Sequence, residues 1–410
     1  MNNAQLVQDI SGSYDAFTRL RTSAPYTLFD SKTLYNKLPF YWDEAQTSGS
    51  GTTSTFNTNQ ASTTLSVSNA TAGTIVRQTK QRFSYQPGKS QLVMMSGILG
   101  ACKTGITTRI GYFDENNGLF FEANQNGCCI VKRTYTSGSP IEDRIYQTNW
   151  NKYKLSVEHY ISIDFTKVQV FYFNFEWLGT GDIVCGVLIN NSFIPLHHIE
   201  IANKSLFVSL GIPNLPCRYE ISNDGSGTQS NLTAICSTVL SEGGREVTGI
   251  PRSINRGAVP VTIPKFNPLL PNTFYPLIAI RCKSSMKGVS LYLQGFDILV
   301  TNNTSIFRWI IKLNPTFSGT AITYTGYNAN SALEYANTIT AATTITGGDT
   351  LYSGYGIGTG SKNITSSALG LRNHLGFTIA GVSDVIVFAA ELLNNQSDTV
   401  YADLSIAEVY

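Results

Sequence analysis

Charge is what this 410-residue chain has least of: 14% of its residues are Asp, Glu, Lys or Arg, against roughly a quarter in ordinary soluble proteins. Surface polarity must come from Ser, Thr, Asn, Gln and the 35 glycines. That composition suits turn-rich β-sandwiches, and particles whose surfaces are buried against partners, better than a helical enzyme. The net charge of +2 supplies no field to attract nucleic acid or an anionic membrane. Arg77, Lys80 and Arg82 form only a local basic run, read as a solvated strand face. Histidines number four, and no HExxH, GxSxG, P-loop or dinucleotide fingerprint occurs. The glycines of GYGIGTGSK (354–362) lack the phosphate-loop spacing. No catalytic residue, cofactor or metal site is therefore assigned. Seven cysteines, odd in number and without a CxxC pair, read as reduced, buried thiols. No apolar run is long enough to span a bilayer, and the first residues have neither a basic n-region nor an apolar h-region.

The chain does have alternation. From Val168 to Ile201 it reads as a three-strand meander, and its first strand places Phe171, Phe173, Phe175 and Trp177 on one face. Such a face must be buried. Gly179, Gly181 and Asp182 make the first reversal, and Asn190-Asn191 the second. Asn174 and Glu176 occupy the opposite, more polar face. Thr108 to Glu122 reads as a hairpin turning at Asn116-Asn117-Gly118; Asp114, Glu115 and Asn116 are explained by that turn, without a calcium loop's alternating acids. Further strands are expected at 64–67, 73–85, 91–99, 128–135, 153–165, 217–221 and 232–240. This spacing signals a sandwich or barrel.

The expected fold class is all-β, with two antiparallel β-sandwich (jelly-roll-like) domains and an extended N-terminal arm. Residues 1–45 read as the arm and 46–246 as the first sandwich. Residues 247–273 carry five prolines, so they read as a linker, and 274–410 as the second sandwich. Within the latter, strands are expected at 375–380 and 385–392, one helical turn at 331–336, and a closing strand at 400–410 that pairs within its own sheet or with a neighbour.

A strand followed by the FDENNGLFFE hairpin (113–122) and then FNFEWLGTGDIVCGVLINN (173–191) is similar to the concanavalin-like or laminin-G-type jelly roll, over about residues 70 to 240. A second resemblance covers most of the chain. AFTRLRTSAPYTLFDSK (16–32), RQTKQRFSYQPGKSQLV (77–93), residues 214–244, SINRGAVPV (253–261), YPLIAIRCKS (275–284) and LNPT (313–316) resemble a group of structural proteins of tailed phages and large DNA viruses. That resemblance implies a virion component assembled in the host cytoplasm. It also implies other virion proteins as partners and homo-oligomer formation, while the near-neutral charge and the lack of a spanning apolar run speak against nucleic acid and membrane insertion.

The expected function is thus that of a minor capsid, decoration or fibre subunit, with host-surface glycan attachment as an added role. Aromatic platforms beside amides and carboxylates bind sugars, which nominates Tyr112, Trp150, Tyr172, Asn174 and Glu176. The alternative is a glycoside hydrolase or lyase. Hydrolysis needs two facing carboxylates, and Asn174 stands where the partner of Glu176 would be.

Overall fold

The computed structural model describes residues 24–152, 163–244, 246, 249–358, 362–365 and 375–410. In chain order the first unit comprises β1 (Tyr26–Lys32), β2 (Trp42–Gly49), β3 (Thr52–Asn57), β4 (Ser62–Val67), β5 (Gly73–Thr79), β6 (Gln91–Ile98), β7 (Ile106–Phe113), β8 (Gly118–Asn124), β9 (Gly127–Thr134), β10 (Ile141–Tyr146), β11 (Gln169–Phe175), β12 (Ile183–Ile189), β13 (Ser192–Ile199), β14 (Cys217–Asn223) and β15 (Ser230–Ser241). They form two antiparallel sheets. One runs β13-β12-β11-β6-β15-β4-β3 with β1 on β15, and the other runs β10-β9-β8-β7-β14-β5-β2. Strands distant in sequence are neighbours in both, as in jelly-roll windings.

The expected meander is β11, β12 and β13. Asn190 and Asn191 both take positive φ, 50° and 60°, the requirement of a two-residue turn that follows strand twist. Phe171 and Phe173 are wholly buried and Phe175 nearly so, each contributing roughly 2 kcal/mol of burial. Phe171 meets Phe121 of the facing sheet at 4.9 Å between centroids, and Phe173 meets it at 5.5 Å. This aromatic row holds the sheets together.

The second unit comprises β16 (Ile250–Asn255), β17 (Val261–Ile263), β18 (Tyr275–Cys282), β19 (Ser290–Val300), β20 (Ile306–Leu313), β21 (Thr316–Gly319), β22 (Thr325–Gly326), β23 (Leu333–Ala336), β24 (Thr343–Thr346), β25 (Asp349–Ile357), β26 (Lys362–Thr365), β27 (Val385–Leu392) and β28 (Asp398–Val409). A sheet ordered β16-β28-β19-β26, with β17 also on β28, faces a sheet ordered β22-β23-β18-β27-β20-β25. Phe296, Trp309 and Phe388 are packed between them, with centroids 4.6 and 5.0 Å from Phe296. The short β21-β24 ribbon accompanies a second apolar cluster around Phe274, Ile310 and Ile345. The chain is all-β, built as two antiparallel sandwiches.

Several expectations are corrected in detail. The part of the arm that is described does not reach outward: β1 pairs with β15, and β2 with β5. Residues 1–23 lie outside the described residues, as does most of the strand expected at 153–165. The proline-rich segment contains strands, because β16 and β17 pair with β28. Pro251 is tolerated there since β16 is an edge strand, where no ladder donor is demanded. Residues 333–336 are a strand on β18 where a helical turn was expected. At 375–380 only a single bridge, Phe377 to Ser383, forms. The closing strand β28 is interior, flanked by β16 and β19, and its backbone is used within its own sheet. Arg77 and Arg82 are 1% and 7% exposed, paired to Glu44 and Asp114, so they form no solvated face.

Candidate functional site

The outward face of the seven-stranded sheet carries charge where a sandwich exterior would ordinarily carry Ser and Thr. Alternation places Phe121, Ile110 and Tyr219 inward, in the core, and therefore Glu122, Arg109 and Glu220 outward on the same strands. The register sets Arg109 of β7 directly opposite Glu122 of β8 on one side and Glu220 of β14 on the other. Opposite charges in this position stabilise a sheet.

The pairing extends across five strands. Arg133 Nε donates to Glu142 Oε1 at 2.8 Å, and Arg144 bonds Glu142 as well as Glu122, the latter from Nε at 2.9 Å. Arg109 donates from Nε to Glu122 Oε2 at 2.8 Å and from Nη1 to Glu220 Oε1 at 2.5 Å. Arg218 Nε then donates to Glu220 Oε2 at 2.9 Å, and its Nη1 to Gln78 Oε1 at 3.0 Å. Four guanidiniums and three carboxylates thus alternate in one ladder. Beneath it, Phe113, Phe120, Cys129 and Val131 form a small apolar cluster. The Arg133 guanidinium lies 4.9 Å from the Phe120 ring centroid, and that of Arg218 lies 5.3 Å from Phe113. These rings give the cations a favourable face.

At the end of the sheet where β8 turns into β9, the ladder opens into a groove of about 760 Å³. Arg109, Glu122 and Arg144 line it, together with Thr107, Asn124, Asn126, Tyr146 and Ser222. Asn124 Nδ2 donates to Glu122 Oε1 at 2.7 Å, so an amide joins the network at the rim.

Electrostatics keep the carboxylates ionised. Burial pushes the Glu122 carboxyl up, but hydrogen bonding from Arg144 and the charge and hydrogen bond of Arg109 outweigh it and leave the pKa lowered. Glu142 follows the same pattern, with Arg133 overcoming burial. For Glu220, burial is outweighed by the charges of Arg218 and Arg109, which bring the carboxyl down to about 2. A general acid needs the opposite, a carboxyl kept protonated near neutral pH. The arrangement can instead present fixed, planar hydrogen-bonding groups to a polar ligand.

The five residues nominated from the sequence lie elsewhere. Tyr112 is wholly buried, its hydroxyl bonded to Gln91, the Leu215 amide and the Phe83 and Pro213 carbonyls. Trp150 is also wholly buried, with Nε1 donating to Ile145 O at 3.0 Å. Neither ring offers a face to a sugar, because the core uses both. Tyr172 is 4% exposed and packs edge-on against Phe193. Asn174 Nδ2 donates to Glu242 Oε2 at 3.1 Å, and Glu176 is exposed. Tyr172 and Asn174 lie on the outer face of the other sheet, across the sandwich from the groove, and Glu176 follows the end of β11. Asp114 is taken up by its turn: Oδ1 accepts from the Asn116 and Asn117 amides at 2.8 Å, and Oδ2 accepts from Arg82. Among the described residues no group of three or more His, Cys, Asp or Glu side chains is placed to hold a metal.

A signal for the charged ladder was present in the sequence. Arg218-x-Glu220 and Glu142-x-Arg144 each put opposite charges two residues apart on a strand, hence on one face. In so weakly charged a chain, such spacing places opposite charges together on one sheet face.

No family model matches the chain, and no curated protein matches it. Among solved structures it is similar to the carbohydrate recognition domain of Emp47p, at 10% identity and a TM-score of 0.35, covering 53% of this chain and 96% of that one. A GH16 protein from the mixed-linkage glucan locus of Bacteroides ovatus, in complex with a G4G4G3G product, is 10% identical with a TM-score of 0.35, covering 52% and 99%. A legume lectin-like domain from Entamoeba histolytica is 10% identical with a TM-score of 0.28, covering 49% and 90%.

Proposed function

We propose that this chain is a non-catalytic glycan-binding protein, serving as an assembly component of a virion. The observation that carries the binding reading is the groove of about 760 Å³ lined by Arg109, Glu122 and Arg144. Its size falls in the range of small-ligand sites. Its polar groups are held by one another before any ligand arrives, which reduces the ordering cost of binding. Sugar hydroxyls match the guanidiniums of Arg109 and Arg144 and the amides of Asn124 and Asn126, with the covered Glu122 holding the guanidiniums in place, and Tyr146 adds an aromatic wall. The lowered pKa values of Glu122, Glu142 and Glu220 support binding over hydrolysis. The virion setting, with other copies and other virion proteins as partners, rests on the sequence resemblance and the low charge.

The test is saturable binding of the full chain to an oligosaccharide panel, quantified by calorimetry, beside Arg144→Ala and Asn124→Ala. A loss of tenfold or more in affinity in these variants, without release of shorter sugars by the native chain, is expected. Turnover that disappears in Glu122→Gln would instead make the chain an enzyme, and binding untouched by either variant would remove the groove from the reading. Detection of the chain in purified particles tests the assembly role separately.

A further inference from the structure

Two of the seven cysteines meet beside the β6–β7 loop and the β8–β9 turn that border the groove, though neither lines it. Cys102 lies in the loop between β6 and β7 and is exposed; Cys128 is the second residue of β9 and is buried. Their sulfur atoms are 3.4 Å apart, within van der Waals contact and short of a bond. The same loop supplies Gly105, and the β8–β9 turn supplies Asn124 to Asn126, to the groove lining. Cys129, next in sequence, points to the opposite face, with its sulfur 4.0 Å from Glu122 Oε1, so alternation along β9 makes Cys128 the partner of Cys102.

We propose that Cys102 and Cys128 are a thiol-disulfide modification site, in which exposed Cys102 captures a low-molecular-weight disulfide such as oxidised glutathione and Cys128 resolves it. The Cys102 thiolate attacks one glutathione sulfur, breaking that S–S bond and expelling a glutathione thiolate. Cys128 then gives up its proton to solvent and attacks the Cys102 sulfur, expelling the second glutathione. Two protein thiols are oxidised to one disulfide while one glutathione disulfide is reduced to two thiols. The chemistry requires a thiolate at the accessible position. The hydrogen bond from Cys128 lowers the Cys102 thiol to about 7, whereas that same bond and burial raise the Cys128 thiol. The exposed sulfur therefore attacks first and the buried one second. The resulting bond ties the β6–β7 loop to the start of β9 and fixes one end of the groove.

The experiment treats the full chain with oxidised glutathione, counts free thiols and maps cross-linked peptides by mass spectrometry, with Cys129→Ser as the background that makes the assignment unique. Loss of two thiols per chain and a Cys102–Cys128 peptide are expected, with neither in Cys102→Ser. Cys128→Ser should retain glutathione on Cys102, and amide exchange over residues 103–106 and 124–127 should slow in the oxidised native chain. A native chain that stays fully reduced, stops at the mixed disulfide, or pairs Cys102 with another cysteine would overturn the proposal. Because the readout is covalent, none of these outcomes depends on whether the groove binds a glycan.

Discussion

Arg109 Nε and Glu122 Oε2 are 2.8 Å apart across β7 and β8, and Glu122 is 1% exposed although its side chain points away from the sandwich core. The neighbouring guanidiniums cover it, so a charge on the outer face of a sheet behaves as a buried one. Removing one partner of such a pair costs more than the pair itself contributes, because the remaining charge stays desolvated. Glu122→Ala leaves both Arg109 and Arg144 short of a carboxylate. It is expected to destabilise the first sandwich by about 3 kcal/mol, read from the urea midpoint. In a double-mutant cycle with Arg109→Met the losses should fall short of additive; full additivity would mean that the ladder is not an energetic unit.

The ladder also sets a pH dependence. Glu220 has its folded-state pKa lowered to about 2 from the ordinary 4.5. A group depressed on folding contributes stability that is fully present above its unfolded pKa and is lost as pH falls through the folded value. The window is therefore pH 4.5 down to about 2, and a shift of this size is worth on the order of 3 kcal/mol. Glu122 and Glu142, lowered by Arg144, Arg109 and Arg133, act in the same direction. Urea midpoints measured from pH 7 to pH 2 should fall steeply below pH 4.5, and Glu220→Gln should flatten that fall while lowering stability at pH 7. An equally steep acid limb in the variant would assign the effect to other carboxylates.

Tyr172 illustrates where the sequence was legible and where it was not. Period-two alternation located β11 and sent Phe171, Phe173 and Phe175 inward, because a sheet has only two faces. It could not tell that the other face is also occupied. Tyr172 stands directly across from Gly186, and a Cβ built on that glycine would fall 2.5 Å from the Tyr172 ring and 2.2 Å from Ile194 O. The ring fills the glycine's missing side chain. Gly186→Ala is expected to cost about 2 kcal/mol by overpacking, and Tyr172→Ala should lower the thermal midpoint while leaving glycan affinity unchanged. A loss of sugar binding in Tyr172→Ala without loss of stability would return the site to this face. The ladder was missed for a related reason: Arg109 and Glu122 face each other within the expected β7–β8 hairpin, but Glu220 of β14 joins them only through a register that skips about a hundred residues. The strands β16 and β17 were hidden by prolines, which mark an edge as readily as a linker.

The two sandwiches also share buried polar contacts that no local pattern announces. Asn214 is 5% exposed; its Oδ1 accepts from the Tyr85 amide at 2.8 Å and its Nδ2 donates to Gly288 O of the second unit at 2.8 Å. Nearby, Ser84 Oγ and Ser290 Oγ are 2.9 Å apart in a buried contact. A buried backbone group left without its partner costs about 1–3 kcal/mol; Asn214→Ala strands the buried Tyr85 amide and takes the partner from the half-buried Gly288 carbonyl. The native chain should therefore unfold in calorimetry as a single cooperative transition, since separating the sandwiches exposes these groups together. Asn214→Ala should lower that transition and split it, with the second sandwich melting on its own. Asn214→Asp keeps the acceptor for Tyr85 and loses only the donor to Gly288, so it should weaken the coupling and disturb the first sandwich less. Two resolved transitions already present in the native chain would show that these contacts do not bind the units into one.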